Sequence, residues 1–204
     1  MARALAVAIA LAALALASPA RASSALELVR IAKAHESAHE EDVAVRRYME
    51  ALGLDPTCEE AYLGLGALRA RRGDLREADR VYSMALEHLP QLRVARTQRA
   101  HVRRALGFRE EAIADLLVGA EDDPAALRVV ATWYGEDGQI PAQLATWRRI
   151  AAHAELAHDA VLLHEARTMV RALVILVGPA DPAAAPPEVR GVRKLAATLS
   201  RRGL

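Results

Sequence analysis

Small and apolar positions recur along the chain at a fixed interval of 34 residues. Ala44, Ala78 and Ala112 keep it, and so do Pro56, Pro90 and Pro124. Ala32, Gly66 and Ala100 form a second small column, and Tyr48, Tyr82 and Leu116 an aromatic or aliphatic one. Gly73 and Gly107 stand in the same step, and small pairs or near-pairs recur at Ala51-Leu52, Ala85-Leu86 and Gly119-Ala120. Columns that share one register mark a stack of like supersecondary units.

Each column has a packing reason within a helix–turn–helix unit. A small residue at Ala32, Gly66 or Ala100 lets the first helix of a unit (helix A) approach its second (helix B). Ala44, Ala78 and Ala112 do the same from the other side. Gly73 and Gly107 suit the end of helix A, where a left-handed C-cap costs glycine least. The prolines follow helix B, because proline cannot continue a helix. Asp55-Pro56 and Asp123-Pro124 add a turn former before the stop.

These residues resemble the tetratricopeptide repeat (TPR) family. The second block matches best, with Tyr62, Leu65, Gly66, Gly73, Ala78, Tyr82, Ala85 and Pro90 on the family's signature positions. Tyr62 stands for the usual tryptophan, and Arg69 for an aromatic. The resemblance covers about half the chain, in repeats at 25–58, 59–92 and 93–126, with the signal fading after Ala126. It implies an all-α fold, a right-handed α-solenoid of helix–turn–helix repeats closed by a C-terminal helical cap. The third block departs from the pattern, carrying Arg96, Arg99 and Arg103 where the family packs apolar residues. One explanation is a partly buried pair in which Arg99 meets Asp115 through two hydrogen bonds. The other is arginine stems lying over the core with solvated heads.

Beyond Ala126 the pattern predicts a shortened fourth repeat over 127–154. Leu127–Tyr134 is its helix A, Asp137-Gly138 its turn and Ile140–Ala154 its helix B, with Trp147 in the aromatic slot. One longer amphipathic helix is expected over Glu155–Val177, packing through Leu156, Val161, Leu162, Ala166, Met169, Val170, Leu173 and Leu176. Gly178–Pro187 is a Pro/Ala loop and Glu188–Arg202 a last helix, so that 155–204 forms the cap.

The N-terminus follows a different pattern. Met1-Ala2-Arg3 is a short positive start, Ala4–Ala17 is apolar, and Pro19 is expected to break the helix before Ala20-Arg21-Ala22. That is the three-part order of a secretory signal peptide over 1–22, leaving a mature chain that begins near Ser23. The apolar stretch is shorter than the roughly 20 residues of a membrane span. The alternative is an uncleaved N-terminal anchor. Export implies a periplasmic or secreted bacterial protein with no stable membrane span in the mature chain.

Composition narrows the function classes. Aromatics make up only 3% of residues, which suits close helix packing through small side chains better than a sandwich or barrel. Basic side chains number 27 against 26 acidic; without Arg3 and Arg21 the basic set falls to 25, a balance of about −1. A nearly neutral body gives no electrostatic case for nucleic acid. The single cysteine, Cys58, excludes an intramolecular disulfide and is read as a small packing residue.

One catalytic motif is present. His35-Glu36-Ser37-Ala38-His39 is a literal H-E-x-x-H, which in zinc hydrolases sets two ligands and a glutamate base on one helical face. Here His39 falls where later repeats have Gly73 and Gly107, so a turn is expected between the two histidines. His153, His158 and His164 lack same-face spacing. No catalytic residue, metal ligand or cofactor is assigned on this basis.

What the TPR resemblance implies instead is a concave face built from the A helices. The family's groove offsets fall on Val29, Lys33 and Glu36, then on Leu63, Ala67 and Arg71, and then on Thr97, His101 and Arg104. The face is mixed apolar and basic, suited to an extended or helical protein segment with some negative charge. It lacks the paired asparagines of the family's clamps for C-terminal carboxylates. The leading expectation is a protein- or peptide-binding adaptor of the cell envelope. Alternatives are a zinc hydrolase using 35–39, a repeat protein that self-associates through its open edge, and a groove filled by the chain's own C-terminal helix.

Overall fold

The computed structural model describes residues 19–118 and 123–177. Residues 1–18 of the expected leader over 1–22, the pair Gly119-Ala120, and the loop and last helix beyond Val177 lie outside the described residues. The fold is all-α: among those residues the elements are nine helices and no strand. They are α1 (Pro19–Ser37), α2 (Glu41–Leu54), α3 (Glu59–Arg71), α4 (Leu75–His88), α5 (Arg93–Leu106) and α6 (Arg109–Leu117). α7 (Pro124–Glu136), α8 (Ile140–Leu156) and α9 (Ala160–Val177) follow. None of them is long and apolar enough to cross a membrane. Pro19 is the first described residue of α1, and Ala20-Arg21-Ala22 lie within that helix.

One turn device is used five times. A residue in the left-handed region closes α1 (His39, φ 60°), α3 (Gly73, 81°), α5 (Gly107, 86°), α7 (Gly138, 69°) and α8 (His158, 55°). The next residue's N–H then reaches back five positions to a helix carbonyl. Glu40 bonds His35 at 2.9 Å, Asp74 bonds Arg69 at 3.0 Å and Phe108 bonds Arg103 at 2.9 Å. Gln139 bonds Tyr134 at 2.8 Å and Asp159 bonds Ala154 at 2.9 Å. This is the Schellman closure, which satisfies carbonyls that a helix end leaves without partners. The fourth pair starts at Pro124, where Asp123 caps α7 by accepting from the N–H of Ala125 at 3.0 Å.

Histidine at a left-handed position is strained where glycine is not. His39→Gly should therefore stabilise the protein by about 1 kcal/mol and raise Tm by about 2–4 °C. A thermal melt followed by circular dichroism checks this; an unchanged or lowered Tm contradicts it.

The helix expected over Glu155–Val177 begins later, at Ala160, because α8 runs on to Leu156. The apolar periodicity runs on across Leu156 and Val161, but the backbone turns at His158. Asp159 then accepts the Leu162 N–H at 2.9 Å and caps α9. As a result Leu156 and Val161 are exposed, and so is Leu176. Leu162, Ala166, Met169, Val170 and Leu173 do pack, against Trp147, Ile150 and Leu144 of α8 and Leu127 and Ala131 of α7.

The chain divides into two compact units, which meet between Asp115 and Leu116. In the first, α1 packs on α2 and α3, α3 on α4 and α5, and α4 on α5. Its core holds three buried tyrosines, Tyr48, Tyr62 and Tyr82, set against the small columns Ala32, Ala44, Ala78 and Ala85. Cys58 is a buried part of this core, and burial pushes its thiol up. In the second unit α7 packs on α8 and α8 on α9.

Candidate partner-binding faces

α3 presents two opposite faces. Leu63, Ala67 and Arg71 point one way, and Tyr62, Leu65 and Arg69 the other, as a 3.6-residue turn requires. On the first face α1 and α5 flank α3. Leu63 and Ala67 are half-buried there, while Lys33, Arg71, Thr97 and His101 are exposed and Arg104 is half-buried. Val29 is a correction to the sequence expectation. It packs in the core with Ala25, Ala32 and Tyr48, so no partner can reach it. The other eight residues keep some exposure, and two of them are directly joined.

Glu36 is that junction. One carboxylate oxygen accepts the Tyr48 hydroxyl at 2.5 Å, and the other pairs with Arg71 across the repeat boundary. Burial, reinforced by Glu36, pushes the Tyr48 phenol up, so it stays a donor at neutral pH. Burial likewise pushes Tyr82 up to about 12, with Arg71 pulling the other way. Glu36 thus holds the Arg71 guanidinium beside two tyrosines. More than half of the Arg71 side chain stays open to solvent, at 57% exposure.

The same residues dismantle the H-E-x-x-H motif. α1 ends at Ser37, and His39 stands beyond it in the left-handed turn. The two histidines therefore do not share a helical face. His35 Nδ1 lies 2.6 Å from Glu40, and Glu36 is committed to Tyr48 and Arg71. Among the described residues no group of three His, Cys, Asp or Glu side chains could hold a metal ion.

Arg99 and Arg103 of α5 form a network rather than a solvated fringe. Arg99 grips Asp115 with two bonds, Nε to Oδ2 at 2.8 Å and Nη2 to Oδ1 at 2.5 Å. Arg103 adds a third at 2.9 Å and also donates to Asp79 at 2.8 Å. Arg99 reaches Ser83 as well, at 3.2 Å. α4, α5 and α6 are thereby tied through one buried carboxylate. Arg96 behaves differently, laying its stem back to donate to the Pro90 carbonyl at 2.5 Å.

The opposite side of α3 holds a feature that sequence reasoning missed. α2 and α4 flank it there, leaving an apolar groove of about 500 Å³. Its walls include Met49 and Leu52 of α2 and Val81 and Met84 of α4, over a floor of Tyr62 and Leu65. Both methionines are exposed, Met49 at 58% and Met84 at 47%. Met49 and Met84 fall at different positions of the repeat, so no column of the sequence brings them together.

No protein-family model and no curated protein sequence matches the chain. Solved structures do. It is similar to a tetratricopeptide repeat protein from Parabacteroides merdae, with TM-score 0.57 and 20% identity over 74% of this chain; it spans 60% of that protein. It is also similar to YrrB, described as a TPR protein with an unusual peptide-binding site, with TM-score 0.52 and 17% identity over 73% of this chain and 86% of that one. PilF of Pseudomonas aeruginosa gives TM-score 0.52 and 14% identity, covering 81% of both chains. At such identities the likeness concerns the fold, and the fold of this chain is that of the TPR-like helical solenoids.

Proposed function

We propose that this chain is a non-enzymatic adaptor of the bacterial cell envelope that binds a segment of another protein on the A-helix face of its first unit. The observation that carries the reading is Arg71, held by Glu36 beside half-buried Leu63 and Ala67, with its outer edge open. A guanidinium fixed by a carboxylate beneath it gives directional donors to a partner carboxylate, and the two apolar neighbours favour partial burial of the segment. Lys33, Thr97, His101 and Arg104 extend the same face. TPR-like fold and peptide binding go together in YrrB, which supports the reading by analogy of fold alone. The signal-peptide pattern supports the envelope location.

Photo-crosslinking tests it. A photoreactive residue replacing Ala67 should give an adduct with another envelope protein, identified by mass spectrometry after purification from the native envelope. Arg71→Glu should abolish that adduct while leaving the thermal melt within a few degrees. Adducts solely with copies of this chain, with mass rising with concentration in light scattering, would favour a self-associating repeat protein instead. Stoichiometric zinc in the purified protein, lost in His39→Ala, would favour the hydrolase.

A further inference from the structure

The hydroxyl of Tyr48 is more than its place in the core requires. Tyr82 and Leu116 fill the same column of the repeat, and Leu116 is buried there without a hydroxyl. Packing at this position asks only for an apolar body. The partner of the Tyr48 oxygen is also particular to the first repeat. Thirty-four residues on from Glu36 stands Ala70, and the next step reaches Arg104, so neither later repeat has a carboxylate there.

Three helices meet at that oxygen. Tyr48 rises buried from α2 and donates to Glu36 Oε1 on α1 at 2.5 Å. α3 supplies the seat for the ring. A Cβ on Gly64 would lie 2.5 Å from Cε1 and Cζ of Tyr48 and 2.6 Å from its hydroxyl oxygen, so glycine leaves the phenol room to reach Glu36. Two turns further along α3, Arg71 takes the other oxygen of the same carboxylate. A surface ion pair alone holds two long side chains weakly, because both lose rotamer freedom in forming it. Here one carboxylate oxygen is already fixed by a buried group. The Glu36 side chain is 20% exposed and that of Arg71 57%, so order passes outward from the core to the surface.

We infer that Tyr48 is the positioning residue for Arg71, acting through Glu36, and that it sets how strongly the A-helix face grips its partner, on the reading that this face docks one. The buried Tyr48 acts without reaching the partner itself. Its hydroxyl holds Glu36, Glu36 holds the guanidinium, and the open donors of Arg71 meet the partner already ordered. Gly64 belongs to the same device, because a methyl group there displaces the phenol from Glu36.

Tyr48→Phe tests this, since it removes one oxygen and keeps the ring that the core needs. Full-length protein labelled with nitrogen-15 in arginine reports guanidinium rotation by nuclear magnetic resonance. Arg71 should rotate about tenfold faster in Tyr48→Phe than in the wild type, while Arg103, held by Asp79 and Asp115, is unchanged. The adduct from the photoreactive residue replacing Ala67 should fall about tenfold in yield, with the melt within a few degrees. Glu36→Gln should free Arg71 as well, and adding Tyr48→Phe to it should change neither readout further, because the two act along one path. Unchanged Arg71 rotation in Tyr48→Phe would overturn the inference. So would an adduct lost in that variant while Arg71 stays ordered, since the hydroxyl would then serve stability alone. The partner reading fails separately: if the wild type gives no adduct with another protein and Tyr48→Phe still frees Arg71, the positioning role stands and the docking face does not.

Discussion

Replacing Asp115 by alanine should cost about 3–5 kcal/mol and lower Tm by roughly 10 °C or more, whereas Asp79→Ala should cost about 1 kcal/mol. The contrast follows from what each carboxylate leaves behind. The Asp115 side chain is 8% exposed and takes three bonds from two guanidiniums, themselves only 17% and 21% exposed. Without it, Arg99 retains one neutral partner, Ser83, and two cations face each other with no carboxylate between them. Asp79 is 24% exposed and takes one bond, from an arginine that would keep Asp115. Urea unfolding followed by circular dichroism gives both values. Nearly equal losses for the two variants would show that the network does not act through buried charge. The triple variant Asp115→Leu, Arg99→Met, Arg103→Leu separates the remaining possibilities, because an apolar cluster of similar volume replaces a buried ion network at little cost. It should regain most of the stability that Asp115→Ala loses.

That network was legible in the sequence because it broke a rule. Three arginines stood where packing residues belong, and Asp115 lay on the helix that had to face them. Charge in an apolar register needs either a partner or a solvated head; the sequence left both open, and the structure pairs Arg99 with Asp115. The second arginine on Asp115, and the tie from Arg103 back to Asp79, were not foreseen, since they depend on where α4 sits relative to α6. The fold class was legible for a related reason. The recurring small residues are contact positions, and a 34-residue interval leaves little choice of unit. His39 shows how far that register reaches: its column with Gly73 and Gly107 foretold a turn inside the H-E-x-x-H motif.

The failures also have physical causes. His158 takes the left-handed conformation without glycine, and apolar residues on both sides set the expected break between α8 and α9 too early, before Glu155 instead of after Leu156. The capping Asp159 was the visible clue, outweighed by periodicity. Val29 went astray because a groove position was carried over by offset, and on α1 that position lies in the core with Ala25, Ala32 and Tyr48. The α2–α4 groove had no column to reveal it, since Met49 and Met84 occupy different positions of the repeat. A cavity is the space between elements, and periodicity reports only the faces.

Gly66 carries the second large effect, and it tests the small column directly. A Cβ built on Gly66 would lie 2.5 Å from both Cε1 and Cζ of Tyr82, well inside contact distance. Tyr82 is 1% exposed, and its ring is enclosed by Tyr62, Ala78, Ala85 and Val102, so it has no room to retreat. Gly66→Ala should therefore force α3 away from α4 and cost about 2–3 kcal/mol, despite alanine's better helix propensity. Gly53 provides the control. It too lies within a helix, but nothing stands within 4 Å of its Cβ position, so Gly53→Ala should stabilise by about 0.5–1 kcal/mol. Tyr82→Phe should not rescue Gly66→Ala, because the clash is with ring carbons rather than the hydroxyl alone. Tyr82→Leu in the Gly66→Ala background should recover part of the loss by removing those atoms. If Gly66→Ala and Gly53→Ala melted at the same temperature, the glycine would owe its place to something other than the approach of helix A to helix B.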